Sequence, residues 1–500
     1  MEMERVEIGN AESRTKGGHA RQWLGALAIS LLLLVPCVWH KRLVAGDLGS
    51  HVYNAWLAQQ IKRGDAPGLY LVRQWHNVLV DVALERTGGL LGWGVAEKAV
   101  AGAAVLIFFW GAFTFVSAAA RRKPWELAPA VAMLAYGWTF QVGFINYYVS
   151  VGLAFLSAAM LWRGRGWKRA AGAGLVPLIW AAHPLGIILL IVLAAYSTLR
   201  ERIAGWPGLI LPAAGLLALG GAGWEVKRRF GYEADWAGTQ FYLFNGADQL
   251  ALYGRRYAVL AAVVFFVCVS VVAYQVVRRK LKREDWRLLV PPLEMYLVAV
   301  CAAGLLPQDI QVPLYPAPMG LLVSRMTLVS AVLGLCLIAG ARPKRWVLAP
   351  LAVCTVAYFT LLYRDTGSLG RLQAQAESLV STLPPGQRIV ATFHAPEGSR
   401  LPFQDHVVDR ACVQRCFSYQ NYEPASRQFR VRVQEGSPVA TASADDAEAM
   451  ASGEYTVREE DPPLVLFYQC APDHPERVCL RALAAGDVDG DGWPSSDDPP

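Results

Sequence analysis

Long apolar segments alternate with short polar ones along the first 363 residues of the chain. A helix needs about 20 mostly apolar residues to cross a membrane, and about eleven segments approach that length. The fifth and sixth segments are short, and Pro184 lies between them. The alternative is that the two segments form one helix that is kinked at this proline. The predicted spans are 23–40, 97–119, 127–142, 146–162, 170–182, 184–199, 207–223, 257–277, 288–306, 319–340 and 346–363.

The composition agrees with a polytopic all-α membrane protein. Of the 500 residues, 54% are hydrophobic and only 17% are charged, whereas a soluble protein carries roughly 25% charged residues. This composition excludes an ordinary cytosolic enzyme and an intrinsically disordered chain. The net charge of +7 comes from Lys and Arg clusters beside the apolar segments, as in membrane proteins, so it does not indicate nucleic-acid binding.

The basic clusters predict the orientation in the membrane. With eleven spans every cluster falls on one side, and the positive-inside rule makes that side cytoplasmic. Residues 1–22 are then cytoplasmic, and everything after 363 lies outside a plasma (inner) membrane. The cytoplasmic loops are too short for a nucleotide-binding domain, and the chain has neither a P-loop nor a strand-linked GxGxxG motif, so no nucleotide cofactor is expected.

Residues 364–486 have the composition of a small extracytoplasmic α/β domain. Strands are predicted at 388–393, 429–433 and 463–468, with helices near 369–382 and 444–451. An oxidising compartment favours disulfides among the four cysteines, in any of three pairings, of which the two local ones are simplest. A zinc site is the alternative, although the spacing is unusual. These cysteines are Cys412, Cys416, Cys470 and Cys479.

The acidic tail, residues 487–500, resembles a Ca²⁺-binding loop. Oxygen ligands occupy loop positions 1, 3 and 5, glycine position 6 and an acid position 12, although Pro494 and the missing exit helix depart from an EF-hand. A solvated acidic tail is the alternative. The expected Ca²⁺ ligands are Asp487, Asp489, Asp491 and Asp498.

The most suggestive polar residues follow the first span, at the start of the outside loop 41–96. Asp47 and His51 are four residues apart, which places a carboxylate and an imidazole on one helical face, where they could share a metal ion or a proton. The structural alternative is that Asp47 caps a helix and that His51 is an ordinary interface residue.

With these features the chain resembles the GT-C superfamily of integral membrane glycosyltransferases. The resemblance covers the span pattern of 1–363, the acidic residue that opens the first outside loop, and the outside C-terminal domain. It implies a polyprenyl-phosphate-linked sugar donor, an extracytoplasmic lipid, glycan or protein acceptor, and Asp47 as base or metal ligand, with Mg²⁺ or Mn²⁺ as the expected metal. A second acidic motif is not evident, and Asp65, Asp81 and Glu85 are its candidates.

Two further residues suit such a site. Arg325 lies within an apolar span, where a charge costs about 2.5–3.5 kcal/mol, and it could hold a leaving phosphate or else snorkel to the interface. His183 lies within an apolar run. It either lines a polar cavity or is a hydrogen-bonded packing residue. The expected reaction is inverting displacement, with Asp47 as base and with Arg325, aided by His51 or His183, binding the phosphate. The alternatives are a transporter or lipid flippase, for which no internal repeat is found, and a non-catalytic membrane scaffold.

Overall fold

The computed structural model describes residues 23–203, 210–236, 245–278, 283–311, 313, 319–344, 348–393, 399–401, 406–470 and 477–488. The predicted cytoplasmic segment 1–22 lies outside these residues. Most of the described chain is helical. The helices of the first part are α1 (Trp23–Val38), α2 (Leu48–Arg63), α3 (Leu79–Leu91), α4 (Trp93–Ala120), α5 (Ala128–Ala135), α6 (Trp138–Gln141), α7 (Ile145–Arg163), α8 (Trp167–Gly174), α9 (Val176–Ala182), α10 (Pro184–Arg202) and α11 (Ile210–Phe230).

The second part contains long helices followed by short elements. Its helices are α12 (Arg255–Arg278), α13 (Arg283–Leu305), α14 (Leu322–Gly340), α15 (Ala349–Val380), α16 (Val407–Cys412), α17 (Tyr422–Ser426) and α18 (Ala444–Ser452). The strands of the whole chain are β1 (Leu69–Leu71), β2 (Glu233–Asp235), β3 (Asp309–Gln311), β4 (Arg388–Thr392), β5 (Phe417–Ser418), β6 (Val431–Val433), β7 (Leu464–Gln469) and β8 (Val478–Ala482).

Five described helices are long and apolar enough to cross a membrane: α4, α7, α12, α13 and α14. They identify an integral membrane protein, but they do not confirm the predicted count of eleven spans. The apolar helices α1 and α10 are shorter. The predicted spans 127–142 and 170–182 are divided between α5 and α6 and between α8 and α9. Gly137 divides the first because its backbone is extended there, with ψ at −174°.

Helices α4 and α7 form the packed centre of the membrane part. In the most apolar stretch of α7, 78% of the residues are buried within the protein, compared with 22% in α12. Gly111 of α4 and Gly152 of α7 bring the two backbones together: a Cβ on Gly152 would lie 2.6 Å from the Cα of Phe108. Small residues at such a crossing allow close helix packing in lipid. This packing fixes the start of α7, which carries site residues.

The segment 41–96, predicted to be the first outside loop, is attached to the C-terminal part by a two-stranded antiparallel sheet. Strand β1 pairs with β6, so that Leu69 lies opposite Val433 and Leu71 opposite Val431. Helix α15 also runs without a break across residue 363, where the membrane and outside regions were predicted to divide. One apolar core extends from the membrane helices into the C-terminal part. The outside loop and the C-terminal part therefore build one structure around α2.

The C-terminal part contains a four-stranded sheet in the order β5-β4-β7-β8. Strand β4 is parallel to both β5 and β7, and β8 is antiparallel to β7. The predicted strands 388–393 and 463–468 correspond to β4 and β7, whereas the predicted strand 429–433 is β6 and pairs with the first outside loop instead. The four cysteines form the two local disulfides, Cys412–Cys416 and Cys470–Cys479.

Candidate active site

Asp47 stands at the start of α2 but does not cap it. Its side chain makes no capping hydrogen bond. Its backbone N–H donates to the carbonyl oxygen of Val142 at 2.9 Å, which ties the start of α2 to the turn before α7. The backbone at Gly46 and Gly143 has positive φ, at 33° and 89°. A carboxylate that is not used for capping is available for other partners.

The two chain segments touch because both glycines lack a Cβ. A Cβ on Gly46 would overlap the carbonyl oxygen of Val142, and a Cβ on Gly143 would lie 2.6 Å from the backbone nitrogen of Leu48 and closer still to that of Asp47. Backbone conformations with positive φ favour glycine. These glycines therefore set the position of Asp47.

We expect Gly143→Ala to destabilise the protein more than Gly64→Ala. Gly64 ends α2 with a φ of 84°, close to the 89° of Gly143, but has open space around its missing Cβ. Gly64→Ala is expected to cost about 1–2 kcal/mol from the left-handed backbone alone. Gly143→Ala adds the overlap with the backbone of α2, about 1–3 kcal/mol more. Thermal unfolding of both variants in detergent measures the difference; equal losses would show that the crossing is not tightly packed.

The carboxylate of Asp47 contacts a histidine from the C-terminal part. The Nε2 of His406 lies 3.3 Å from Asp47 Oδ1, and its Nδ1 lies 2.7 Å from Asp409 Oδ2. The side chain of Asp47 is 21% exposed, whereas those of His406 and Asp409 are 10% and 4% exposed. A substrate can therefore reach Asp47, whereas His406 and Asp409 are buried and hold the carboxylate of Asp47 in position.

His406 carries a positive charge in this arrangement. Burial lowers the pKa of His406, but the hydrogen bonds and charges of Asp409 and Asp47 raise it well above its ordinary value. Both ring nitrogens of the imidazolium then donate, one to each carboxylate. Gly49 of α2 allows this approach, since a Cβ there would lie 2.8 Å from the carbonyl oxygen of His406. Neither His406 nor Asp409 was predicted.

Arg325 lies near Asp47, at the beginning of α14. Its guanidinium carbon is 4.1 Å from the ring centroid of Phe144, and the hydroxyl of Tyr147 donates to its carbonyl oxygen at 2.7 Å. Asp47 and Tyr422 are both within electrostatic range of the guanidinium. Its Nε is buried and has no hydrogen-bond partner among the described residues. An arginine with an unused donor is suited to binding an anion.

His183 lies on the other side of Tyr147. The two ring centroids are 5.6 Å apart, and the Nδ1 of His183 accepts a hydrogen bond from the backbone N–H of Leu185 at 3.2 Å. His183 thereby caps α10, which is a structural role. Tyr147 also contacts the backbone of Arg325, and the substrate-binding role of His183 stays a prediction.

His51 pairs with Asp81 rather than with Asp47. His51 Nδ1 lies 2.8 Å from Asp81 Oδ1, and the amide of Asn146 donates to Asp81 Oδ2 at 2.8 Å. Burial lowers the pKa of His51, but the charge and hydrogen bond of Asp81 raise it to about 9. Burial raises the pKa of Asp81, but His51 and Arg430 bring it below its ordinary value. The expected sharing of a metal or proton between Asp47 and His51 is not what the geometry shows.

Glu423 of α17 completes this buried polar cluster. Its Oε1 accepts a hydrogen bond from the hydroxyl of Ser50 at 2.8 Å, and the side chains of Asn54 and Asn421 bond to each other alongside it. Burial raises the pKa of Glu423 to about 7, with Asp81 adding to the increase and His51 opposing it. Of this cluster the sequence indicated His51 and Asp81, but not Asn146 or Glu423.

The raised pKa of Glu423 predicts a loss of stability as the pH rises. Because the folded protein holds this proton more tightly than the unfolded chain, stability falls between the unfolded pKa of 4.5 and the folded pKa of about 7. The loss is about 3 kcal/mol, and Glu423→Gln is expected to remove it. In the wild type the contribution of His51 to stability is complete below pH 6.5 and is lost as the pH rises through its folded pKa of about 9. Melting temperatures across these windows test this; parallel curves for wild type and Glu423→Gln would contradict it.

Metal binding was expected at Asp47 and in the acidic tail. Among the described residues, no group of three or more His, Cys, Asp or Glu side chains is arranged to hold a metal ion. The binding of Mg²⁺ or Mn²⁺ at Asp47 stays a prediction. The carboxylate of Asp487 accepts a hydrogen bond from the N–H of Ala484 at 2.9 Å. Asp489, Asp491 and Asp498 lie outside the described residues, so the Ca²⁺ loop also stays a prediction.

The fold and site together define a helical membrane protein with a charged site between its first outside loop and its C-terminal part. No protein-family model matches the chain, and no curated protein matches it significantly. Among solved structures, the crystal structure of ArnT from Cupriavidus metallidurans in the apo state is similar over 93% of this chain and 98% of that chain, at 12% identity and a TM-score of 0.36. At this TM-score the similarity has no bearing on what the chain does.

Proposed function

We propose that this protein is a GT-C-type membrane glycosyltransferase. It transfers a sugar from a polyprenyl-phosphate-linked donor to a hydroxyl of an extracytoplasmic acceptor, which is a lipid, a glycan or a protein. The observation that carries the proposal is the setting of Asp47: its carboxylate is partly exposed, does not cap α2, is held by His406 and lies near the guanidinium of Arg325. A base beside an anion-binding cation is what this displacement needs.

Asp47 acts as the general base in this mechanism. The imidazolium of His406 contacts Oδ1 and orients the carboxylate, which leaves Oδ2 to accept the proton of the acceptor hydroxyl. Asp409 holds the other ring nitrogen and so fixes the imidazolium. Asp409 and His406 are positioning residues, because they act through Asp47 rather than on the substrate.

Arg325 stabilises the leaving group. As the acceptor oxygen bonds to the anomeric carbon, the bond from that carbon to the phosphate oxygen breaks, and the electron pair leaves with the polyprenyl phosphate. The guanidinium neutralises the charge that develops there. His183, across Tyr147 from Arg325, is placed to support the same phosphate. The displacement inverts the anomeric configuration.

Transport is the second candidate function, because Arg325 and His183 lie in or beside apolar helices, where polar residues mark substrate pathways. A reconstitution assay separates the two. Purified protein in liposomes is supplied with a panel of polyprenyl-phosphate sugars and an acceptor extract, and a polyprenyl phosphate without sugar is the control. A new glycosidic product supports transfer. A donor that crosses the bilayer chemically unchanged, without product from any donor, would overturn the proposal in favour of a flippase.

A further inference from the structure

A cavity of about 400 Å³ is lined by residues that have no part in the mechanism above. Its walls come from three separate segments: the residues that follow β1, helix α9, and the segment from the end of α17 into β6. Among its lining residues are Arg73, Trp75, His76, Trp180, Arg427 and Arg432. Among the residues that the structure describes, no carboxylate lines it. The cavity therefore combines three positive charges with two indole rings.

The charged residues are arranged by specific contacts. The guanidinium of Arg73 lies 4.3 Å from the ring centroid of Trp75, and Arg432 donates to the carbonyl oxygen of Arg427 at 2.8 Å. Arg427 follows α17 with a φ of 58°, and its side chain is exposed. Arg432 thus supports the turn, whereas Arg73 and Arg427 present exposed guanidinium groups. Guanidinium groups bind phosphate through paired hydrogen bonds.

The aromatic side chains provide a second type of surface. Trp75 is 62% exposed and Trp180 is 44% exposed, although indole rings are among the largest apolar groups in proteins. His76 packs edge-on against Trp180, with ring centroids 5.6 Å apart. Exposed indole faces are suited to the apolar face of a sugar ring, and their polar edges to a membrane interface.

Two walls of the cavity are continuous along the chain with residues that contact the proposed active site. Helix α17 begins at Tyr422, whose ring centroid lies 5.9 Å from that of His406, and the same segment continues to Arg427 at the cavity. Helix α9 carries Trp180 and ends before His183, which contacts Tyr147 beside Arg325. A molecule held in the cavity therefore contacts segments whose neighbouring residues, Tyr422 and His183, pack against His406 and Tyr147 of the proposed site.

We infer that this cavity binds a phosphate-bearing saccharide and that it is the acceptor site. The guanidinium groups of Arg73 and Arg427 hold the phosphate, and the indole rings of Trp75 and Trp180 contact the sugar. The identification of this saccharide as the acceptor rests on the proposed function, whereas its binding does not. The saccharide is either the headgroup of a membrane lipid or a soluble sugar phosphate.

Calorimetry on the full chain in detergent tests binding without requiring catalysis. The soluble probe is glucose 6-phosphate, with glucose as its neutral control. The lipid probe is phosphatidylinositol 4-phosphate in nanodiscs, whose polyhydroxylated ring stands in for a sugar and carries a phosphate monoester. Phosphatidylinositol, which lacks that monoester, is its control. We expect one phosphorylated probe to bind better than its control, and which one does so identifies the source. Absence of a preference for phosphate in both pairs would overturn the inference.

The double variant Arg73→Gln with Arg427→Gln tests whether the probe binds in the cavity. We expect it to bind the preferred probe at least about tenfold more weakly, because two charge-assisted contacts are lost. Arg86→Gln is the matched control, since Arg86 is exposed on α3 and does not line the cavity. Equal melting temperatures of the three proteins confirm folding. Unchanged affinity in the double variant would overturn the inference.

The transfer assay separates this inference from the proposed function. If the double variant loses phosphate binding while the wild type transfers no sugar from any donor, the cavity site stands and the glycosyltransferase proposal fails. If transfer occurs but the double variant keeps both its affinity for the probe and its KM for the acceptor, the glycosyltransferase proposal stands and the cavity inference fails.

Discussion

Asp47→Asn is expected to lower the kcat of sugar transfer by about 10²–10⁴-fold, which is the usual contribution of a general base. Asparagine has nearly the same shape as aspartate and can still accept a hydrogen bond from His406, but it cannot take the proton of the acceptor hydroxyl. KM for the donor is expected to change little, because the donor phosphate is held by Arg325. Steady-state kinetics in liposomes, with the best donor from the panel, measure both parameters.

Asp65→Asn is the matched control for this substitution. Asp65 belongs to the same outside loop and was a candidate for the second acidic motif, but its side chain is exposed beyond the end of α2. We expect Asp65→Asn to keep full activity. Transfer that survives in Asp47→Asn at the wild-type rate, with the protein folded, would remove Asp47 from the mechanism.

His406→Gln tests the positioning role of the histidine. Glutamine keeps a donor near Asp47 but loses the positive charge and one of the two ring donors. We expect a smaller fall in kcat than in Asp47→Asn and a changed pH dependence of kcat. A fall in kcat without any change in the pH profile would indicate that His406 has a purely structural role.

The sequence indicated the membrane half of the site because those residues differ from their surroundings. Arg325 stands out as a charge in an apolar segment, and Asp47 as an acidic residue directly after the first span. Both features are local, so they are visible without a structure. The structure brings these two residues near each other, together with His183 through Tyr147.

The C-terminal half of the site could not be predicted in this way. His406, Asp409 and Glu423 are ordinary polar residues of an outside segment, and the i, i+3 spacing of the first two is common on any helix. They reach α2 because β6 pairs with β1 and because Gly49 allows close contact. Such long-range pairing is decided by tertiary packing, which single-sequence patterns do not encode.

The predicted count of eleven spans is not confirmed, for a related reason. An apolar run shows that a segment is buried, but not whether it lies in lipid or inside the protein. The segment at 127–142 is buried mainly by other helices, and Gly137 divides it where its backbone meets the carbonyl oxygen of Gln249. Hydropathy predicted a span there, and the structure contains two short helices.

Asp81→Ala is expected to destabilise the protein by about 3–5 kcal/mol, since it removes one partner of a buried ion pair. Asp81 and His51 are only 5% and 6% exposed, and the charge of His51 depends on Asp81. The substitution also leaves the side-chain amide of Asn146 without its acceptor. Chemical unfolding in detergent micelles measures the loss, and Asp65→Ala is the exposed control from the same loop.

A double variant distinguishes the effect of the charges of His51 and Asp81 on stability from the effect of their packing. In His51→Phe with Asp81→Leu both charges are replaced by apolar groups, so no unpaired charge stays buried, and Glu423 can stay protonated once the nearby charge of His51 is gone. We therefore expect the double variant to be more stable than Asp81→Ala, although it lacks both partners. If it is less stable, the cluster supports α2 through its packing and hydrogen bonds rather than through the pairing of His51 with Asp81.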